Sequence, residues 1–219
     1  MPSYREMLET AARWREMPGL ETVPAGVALT FDDGPDPDGT PLVLDALDAA
    51  GLHATFFVVG EQLTKNHALA REALARGHEV GLHGFEHKHH DSMPGRMAGD
   101  DVARAIGTFE MAVGRRPRWF RPPYGRFNEA SYAACTDLGL EPVYWSAWGL
   151  DWESIGPDRI AEIVGRDLSD GAVVLLHDSA RYAPREGVAA TVEALPLIAE
   201  RAASLGLRLG SLGEMAPMA

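Results

Sequence analysis

Two adjacent carboxylates, Asp32 and Asp33, stand where an apolar run ends. Val27, Ala28, Leu29 and Phe31 precede them, and Gly34-Pro35 forces a turn after them. Neighbouring carboxylates repel, and burying them unpaired is costly. A sequence that sets them just past a buried strand therefore calls for a cation nearby, although the stretch alone equally fits an acidic turn in water. His83 and His87 follow Glu79-Val80-Gly81-Leu82 at the i, i+4 spacing that sets two imidazoles on one side of a helical turn. One Asp with two His is a three-donor set for Zn²⁺ or a similar divalent ion, with a position left for water. The bland alternative is a His-rich surface loop, because His89 and His90 follow directly; those two are expected at the surface. Arg121 after Trp119-Phe120, Asp151 just past the Trp145 run, and His177-Asp178 after Val173-Val174-Leu175-Leu176 repeat the pattern of a polar residue closing an apolar run.

The elements that must hold these residues alternate between strand and helix. Val27–Phe31 reads as the first strand. Thr40 caps and Pro41 opens a helix that Gly51 closes. Ala54–Val59 is a strand whose unbroken apolar character suits a parallel sheet buried on both faces. A helix over about 64–76, a strand at 78–82, and a helix through Val102, Ala105, Ile106, Phe109 and Val113 follow. Asn128 caps a helix ending at Gly139, and Pro142–Trp145 is a strand. Pro157 opens a helix to about Leu168, Ala172–Leu176 is a strand, and a helix with a Pro196 kink covers 187–205 before a short strand at 207–209. About seven strand–helix units imply a parallel sheet with right-handed crossovers. Closed, it is a barrel related to the eightfold (β/α) type, short by a unit; an open doubly wound sheet is the alternative. In a parallel barrel the C-terminal strand ends share one rim, which would gather all the polar residues named above.

Hydrophobic residues are 46% of the 219 and charged residues 24%, as in an ordinary soluble domain. No Gly-, Pro- or Ser-rich linker divides the chain, so 1–219 reads as one domain, with 1–25 as a helical extension built on an amphipathic helix at 3–16. Twenty basic against 32 acidic residues leave a net charge of −12, which argues against nucleic acid or an anionic membrane surface as partner. One cysteine, Cys135, forms no internal disulfide and reads as a small core residue. With no signal-peptide pattern and no apolar run of spanning length, the expected location is the cytoplasm, and no obligate protein partner is evident.

Taken in order, Thr30-Phe31-Asp32-Asp33-Gly34-Pro35, His83-x-x-x-His87, Arg121-Pro122-Pro123-Tyr124-Gly125, Asp151-Trp152 and Leu175-x-His177-Asp178 resemble the five motifs of the polysaccharide deacetylase family, carbohydrate esterase family 4, which includes the rhizobial chitooligosaccharide deacetylases. The resemblance runs from about residue 26 to the C-terminus. It implies a distorted, incomplete (β/α)7-type barrel and a metal-dependent hydrolase that removes an N- or O-linked acetyl group from a sugar, a reaction at a linear amide C–N bond in the N-acetyl case. Carried across, it implies Asp33, His83 and His87 as metal ligands and Asp32 as general base, with Arg121 holding and ionising that base. His177 resembles the general acid, Asp151 its tuning carboxylate, and the Tyr124 N–H an oxyanion donor. Trp152 and Leu175 resemble walls of the pocket for the acetyl methyl. Zn²⁺ is the expected ion, with Co²⁺ or Ni²⁺ as alternatives. One departure stands out: the residue after the first ligand His is usually Ser or Thr, and here it is Gly84.

Elementary chemistry asks for the same parts. Water attacking an amide needs a base, the developing oxyanion needs a fixed donor, and the leaving amine must be protonated by an acid, each proton transfer being worth roughly 10²–10⁴ in rate. Two alternatives remain open at this point: an amidase or deformylase acting on a small molecule or natural product, and a catalytically silent sugar-binding module. His53, His67 and His78 read as structural or surface residues, and Trp145 and Trp148 as either sugar-stacking or core.

Overall fold

A computed structural model describes residues 17–216. Strand β1 (Val27–Asp32) is buried along its whole length and sits in the middle of the sheet. It is flanked on one side by β2 (Thr55–Val58), β3 (Glu79–Leu82), β4 (Trp119–Phe120) and β5 (Glu141–Pro142), and on the other by β7 (Val173–His177) and β6 (Ala147–Trp148). A short β8 (Leu209–Gly210) pairs with the start of β1 at Val27 and Ala28. All these pairings are parallel. The order β5-β4-β3-β2-β1-β7-β6 is that of a barrel broken between β5 and β6, so the seven strands form a curled half-barrel rather than a doubly wound sheet.

The break is crossed by chain that precedes β1. Leu20 bridges to Val143, just beyond β5, and Thr22 bridges to Ala172, just before β7. The part of 1–25 that is described, 17–25, contains these bridges and no helix. The helix expected at 3–16 lies outside the described residues.

Helices α1 (Thr40–Ala50), α2 (Gly60–Ala75), α3 (Gly95–Val113), α4 (Glu129–Asp137), α5 (Pro157–Asp167), α6 (Ala189–Ser204) and the single-turn α7 (Leu212–Met215) follow the strands and pack on the outer face. Helix α3 shows why: Ala98, Asp101, Val102, Ala105, Ile106 and Phe109 recur at helical spacing and are all buried. It ends at Gly114 in the left-handed conformation, and α4 begins with an Asn128–Ser131 capping box. No helix among the described residues is long and apolar enough to cross a membrane.

Several details differ from the sequence reading. Helix α2 starts at Gly60, because the Gly60 and Glu61 N–H groups find acceptors in the loop after β3 (Gly84 and Phe85 carbonyls, both at 3.0 Å). Thr40 is not a cap; its hydroxyl accepts from Asp36 N (2.7 Å) and donates to Asp178 Oδ2 (2.5 Å). The strand expected at 142–145 stops at Pro142, because the Tyr144 N–H pairs with the Leu20 carbonyl and the Tyr144 carbonyl accepts from Arg121, so no neighbouring strand receives them. Pro196 lies inside one uninterrupted helix, α6.

Candidate active site

Asp33, His83 and His87 lie at the C-terminal strand rim. Asp33 is the first residue past β1 and takes φ +86°, a region that non-glycine residues rarely enter and that costs on the order of 1–3 kcal/mol. The turn is pinned from β7, because Asp178 accepts from Gly34 N at 2.9 Å. His83 and His87 follow β3 in an irregular bend, not in the helical turn their spacing suggested. Asp33 Oδ1 lies 3.1 Å from His87 Nε2 and 3.6 Å from His83 Nε2.

These residues fit a metal ion. Donors bound at about 2.0–2.2 Å in tetrahedral geometry stand about 3.3–3.6 Å apart, and the three donor atoms here lie within 4.8 Å of one another. His83 Nδ1 faces the Arg121 carbonyl at 2.8 Å, and a proton placed there turns the Nε2 lone pair toward the site. Asp33 Oδ1 is buried and forms no geometrically sound hydrogen bond among the described residues. Burial alone would raise the Asp33 carboxyl, but the close approach of His87 and the charges of His177 and His83 hold it down at about 2, ionised and ready to ligate. Burial pushes the His83 imidazole down to about 4, so it stays neutral.

Asp32 faces Arg121. The guanidinium is wholly buried, donates from Nη1 to Asp32 Oδ1 (2.7 Å) and Thr30 Oγ1 (2.8 Å), and donates from Nη2 to the Tyr144 carbonyl (2.7 Å). It also lies over the Phe57 ring, 4.2 Å from its centroid. A planar fork held at both ends leaves the carboxylate one orientation. The second oxygen, Asp32 Oδ2, lies 3.6 Å from His83 Nε2.

His177 closes β7 and pairs with Asp151, Nδ1 to Oδ1 at 2.8 Å, while its own N–H donates to Asp151 Oδ2 at 3.0 Å. Thr191 Oγ1 (2.7 Å) and Arg185 Nη1 (3.1 Å) donate to the same carboxylate. Burial would push the imidazolium down; Asp151 reverses this, Asp33 and Asp32 add to it, and His177 is raised to about 9. Two titratable groups, an ionised Asp33 and a protonated His177, are thus driven in opposite directions within one cleft.

That cleft, about 260 Å³, is lined by Asp32, Asp33, His83, His87, His177 and an aromatic rim. Tyr124 sits at φ +59° in a tight turn whose hydrogen bonds use the Gly125 and Arg126 N–H groups, so its own N–H is not one of the turn's donors. Trp152 meets His177 edge-on, and Leu175 stands two residues before His177 on the same strand face. Trp145 and Trp148 are buried in the core, as one of their two readings had it, and they also border the cleft.

All ten residues singled out from the sequence converge here. Others were missed. Arg185 and Thr191, which hold Asp151, carry no motif. Tyr182 stacks on His87 (centroids 4.2 Å apart, 18° between planes) and receives a hydrogen bond from Gln62 (3.0 Å). The surface expectation fails for His90, which is fully buried against Asp101; His89 stays partly exposed, stacked on Tyr124 at the cleft mouth. Cys135 is buried, its thiol pushed up to about 12, which makes it inert packing.

Known proteins are similar to this chain in sequence and fold. Residues 20–143 match the model of the polysaccharide deacetylase family. A peptidoglycan-N-acetylglucosamine deacetylase of Bacillus cereus is 34% identical over 203 residues, covering 91% of each chain. A chitooligosaccharide deacetylase of a Bradyrhizobium species is 39% identical over 161 residues, 73% of each. Among solved structures, a family 4 carbohydrate esterase from Streptomyces lividans in complex with acetate superposes with a TM-score of 0.75 at 33% identity, covering 86% of this chain and 92% of that one. A family 4 pseudoenzyme from Bacillus anthracis gives 0.76 at 25% identity, covering 87% of this chain and 64% of that one. With the half-barrel, the ordered rim motifs and a family match over more than half its length, the chain belongs to the polysaccharide deacetylase family.

Proposed function

We propose that the protein is a metal-dependent deacetylase that hydrolyses an acetyl group, N-linked in the first instance, from a carbohydrate. The observation that carries this reading is the pairing of two polarised dyads, Arg121–Asp32 and Asp151–His177, around one three-donor cluster. The named deacetylases among its relatives support the reaction class and point to peptidoglycan and chitooligosaccharides as substrates to try first.

Asp33, His83 and His87 would hold a divalent ion, of which Zn²⁺ suits the nitrogen-rich donor set best. Such an ion, when bound, lowers the pKa of a water from about 15.7 towards about 7 and polarises a carbonyl. Asp32, fixed by Arg121, takes the proton of the attacking water at Oδ2, the oxygen that Arg121 does not occupy. The Tyr124 N–H donates to the carbonyl oxygen as it gains charge. His177 enters the reaction protonated, with Asp151 compensating its charge, and Nε2 gives its proton to the leaving nitrogen. Trp152 and Leu175 pack on the acetyl methyl and exclude water from that side.

The pseudoenzyme relative makes the intact base, acid and donors the points to test, since the fold alone does not secure activity. Purified protein supplied with Zn²⁺, Co²⁺ or Ni²⁺ is expected to release acetate from N-acetylglucosamine oligomers or peptidoglycan fragments, measured by mass spectrometry. A screen that spans wall glycans, cytoplasmic oligosaccharides and small amides decides the substrate class. Turnover of small amides alone would replace the sugar reading, and sugar binding without turnover under every metal would leave a binding module.

A further inference from the structure

The loop that presents His83 and His87 has no regular structure, yet its backbone is held from two sides. On one side α2 begins beneath it and satisfies its carbonyls: Gly60 N donates to Gly84 O and Glu61 N to Phe85 O, each at 3.0 Å. On the other side a single carboxylate from α3 collects its N–H groups. Asp101 Oδ2 accepts from Phe85 N at 2.8 Å, and Oδ1 accepts from Glu86 N at 2.9 Å. His90, wholly buried, brings Nε2 to within 3.2 Å of the same Oδ2, and its backbone carbonyl is tied down by Asn128 at 2.7 Å. Arg104 lies flat over the Phe85 ring, 3.6 Å from its centroid.

Gly84 shows why the support comes from outside the loop. Its φ is +73°, and a Cβ placed there would stand 3.0 Å from Asp101 Oδ2 and 3.2 Å from the Glu86 carbonyl. A hydroxyl-bearing side chain at position 84 would be strained by this φ and would press on Asp101 and the Glu86 carbonyl, so here Asp101 does the holding from outside. A carboxylate accepting two backbone N–H bonds in a buried site is a strong, directional clamp.

We propose that Asp101, braced by His90, is the positioning residue that holds the His83–His87 loop in the shape that receives a divalent cation. The inference rests on the metal-binding reading above, and concerns how the donors are oriented rather than which residues they are. Neither Asp101 nor His90 touches the reacting atoms; both act through the Phe85 and Glu86 amides.

The test uses Asp101→Asn and Asp101→Ala, with folding checked by circular dichroism, and Asn as the variant that keeps the shape if Ala does not fold. Zn²⁺ affinity, measured by competition with a chromogenic chelator, is expected to fall about 10–100-fold. Turnover at saturating Zn²⁺ is expected to stay within a few-fold of wild type, which separates positioning from catalysis. Hydrogen exchange at the Phe85 and Glu86 amides of the metal-free protein is expected to lose protection. Gly84→Ser is expected to weaken Zn²⁺ binding rather than strengthen it. Unchanged affinity together with unchanged amide protection in Asp101→Asn would overturn the proposal. A wild type that takes up no metal would instead sink the metal reading, while the exchange measurement would still decide whether Asp101 holds the loop.

Discussion

Asp32 and His177 are register partners on the adjacent parallel strands β1 and β7. In parallel strands, partners project to the same face about 4.8 Å apart, so a carboxylate that accepts a proton and an imidazole that donates one are set side by side by the sheet itself. Asp32→Asn and His177→Ala are each expected to lower turnover by about 10²–10⁴ in the protein that remains folded. Because the two serve one reaction, the double variant should lose much less than the product of the single effects. Acetate release from a chosen acetylated sugar is the measurement, and undiminished turnover in either single variant would refute its assigned role.

Arg121 is the buried counter-charge of Asp32. Removing one partner of a buried pair leaves the other uncompensated, at a cost of about 3–5 kcal/mol. Arg121→Met is therefore expected to lower the urea midpoint markedly. It should also free the Asp32 carboxylate from its fixed orientation and lower kcat more than it raises KM in the protein that folds. An unchanged kcat in the folded fraction would show that Arg121 serves stability alone.

His177 titrates at about 9 against an ordinary value of 6.5. A raised folded-state pKa means that this pair's contribution to stability is complete below about 6.5 and is lost as pH rises through about 9. Catalysis should share the upper limit, with activity falling as the imidazolium deprotonates. Asp151→Asn removes the largest upward influence, so the alkaline limb is expected to move down by about 1–3 pH units. Arg185→Gln acts in the opposite sense, since it removes a cation from Asp151. NMR titration of the His177 ring in the metal-free protein checks both directions.

Chelation is expected to abolish turnover, and Zn²⁺ to restore it. Ion bound at a thousand times its Kd should stabilise the fold by about 4 kcal/mol, read as a rise in melting temperature. His87→Ala and Asp33→Ala should each remove that rise. A melting temperature indifferent to metal in the wild type would contradict the donor set.

Gly125 permits the Tyr124 turn. It takes φ +70°, and a Cβ there would meet the Trp145 ring at 2.7 Å. Gly125→Ala is expected to displace the Tyr124 N–H and lower kcat more than it raises KM, a split that steady-state kinetics resolves.

Much of this was legible in the chain because the signals were local. The apolar run ending in Asp32-Asp33, the apolar β7 ending in His177, and the αL glycines at 51 and 114 each announce an element boundary within a few residues. What escaped were pairings between distant positions. Arg185 is 34 residues from Asp151, and Asp101 is 16 from Phe85, so nothing near either one marks its partner. The His-rich run misled for a related reason: composition suggests exposure, while burial of His90 depends on an acid presented by the next helix. The Pro142–Trp145 run misled because its apolar side chains pack inward while its backbone answers to Leu20 and Arg121.

The crossing at Leu20–Val23 has a mechanical consequence. Leu20 accepts from Tyr144 N, and the carbonyl of that same Tyr144 receives Arg121, which grips Asp32. Farther along, Val23 N is anchored at the Gly171 carbonyl, at the foot of the strand that ends in His177. A few residues upstream of the first strand thus act as a suture between the two halves of the reaction machinery. Nicking the backbone there would loosen the Tyr144 carbonyl that steadies Arg121, while the pairing of β1 with β7 still keeps the base beside the acid.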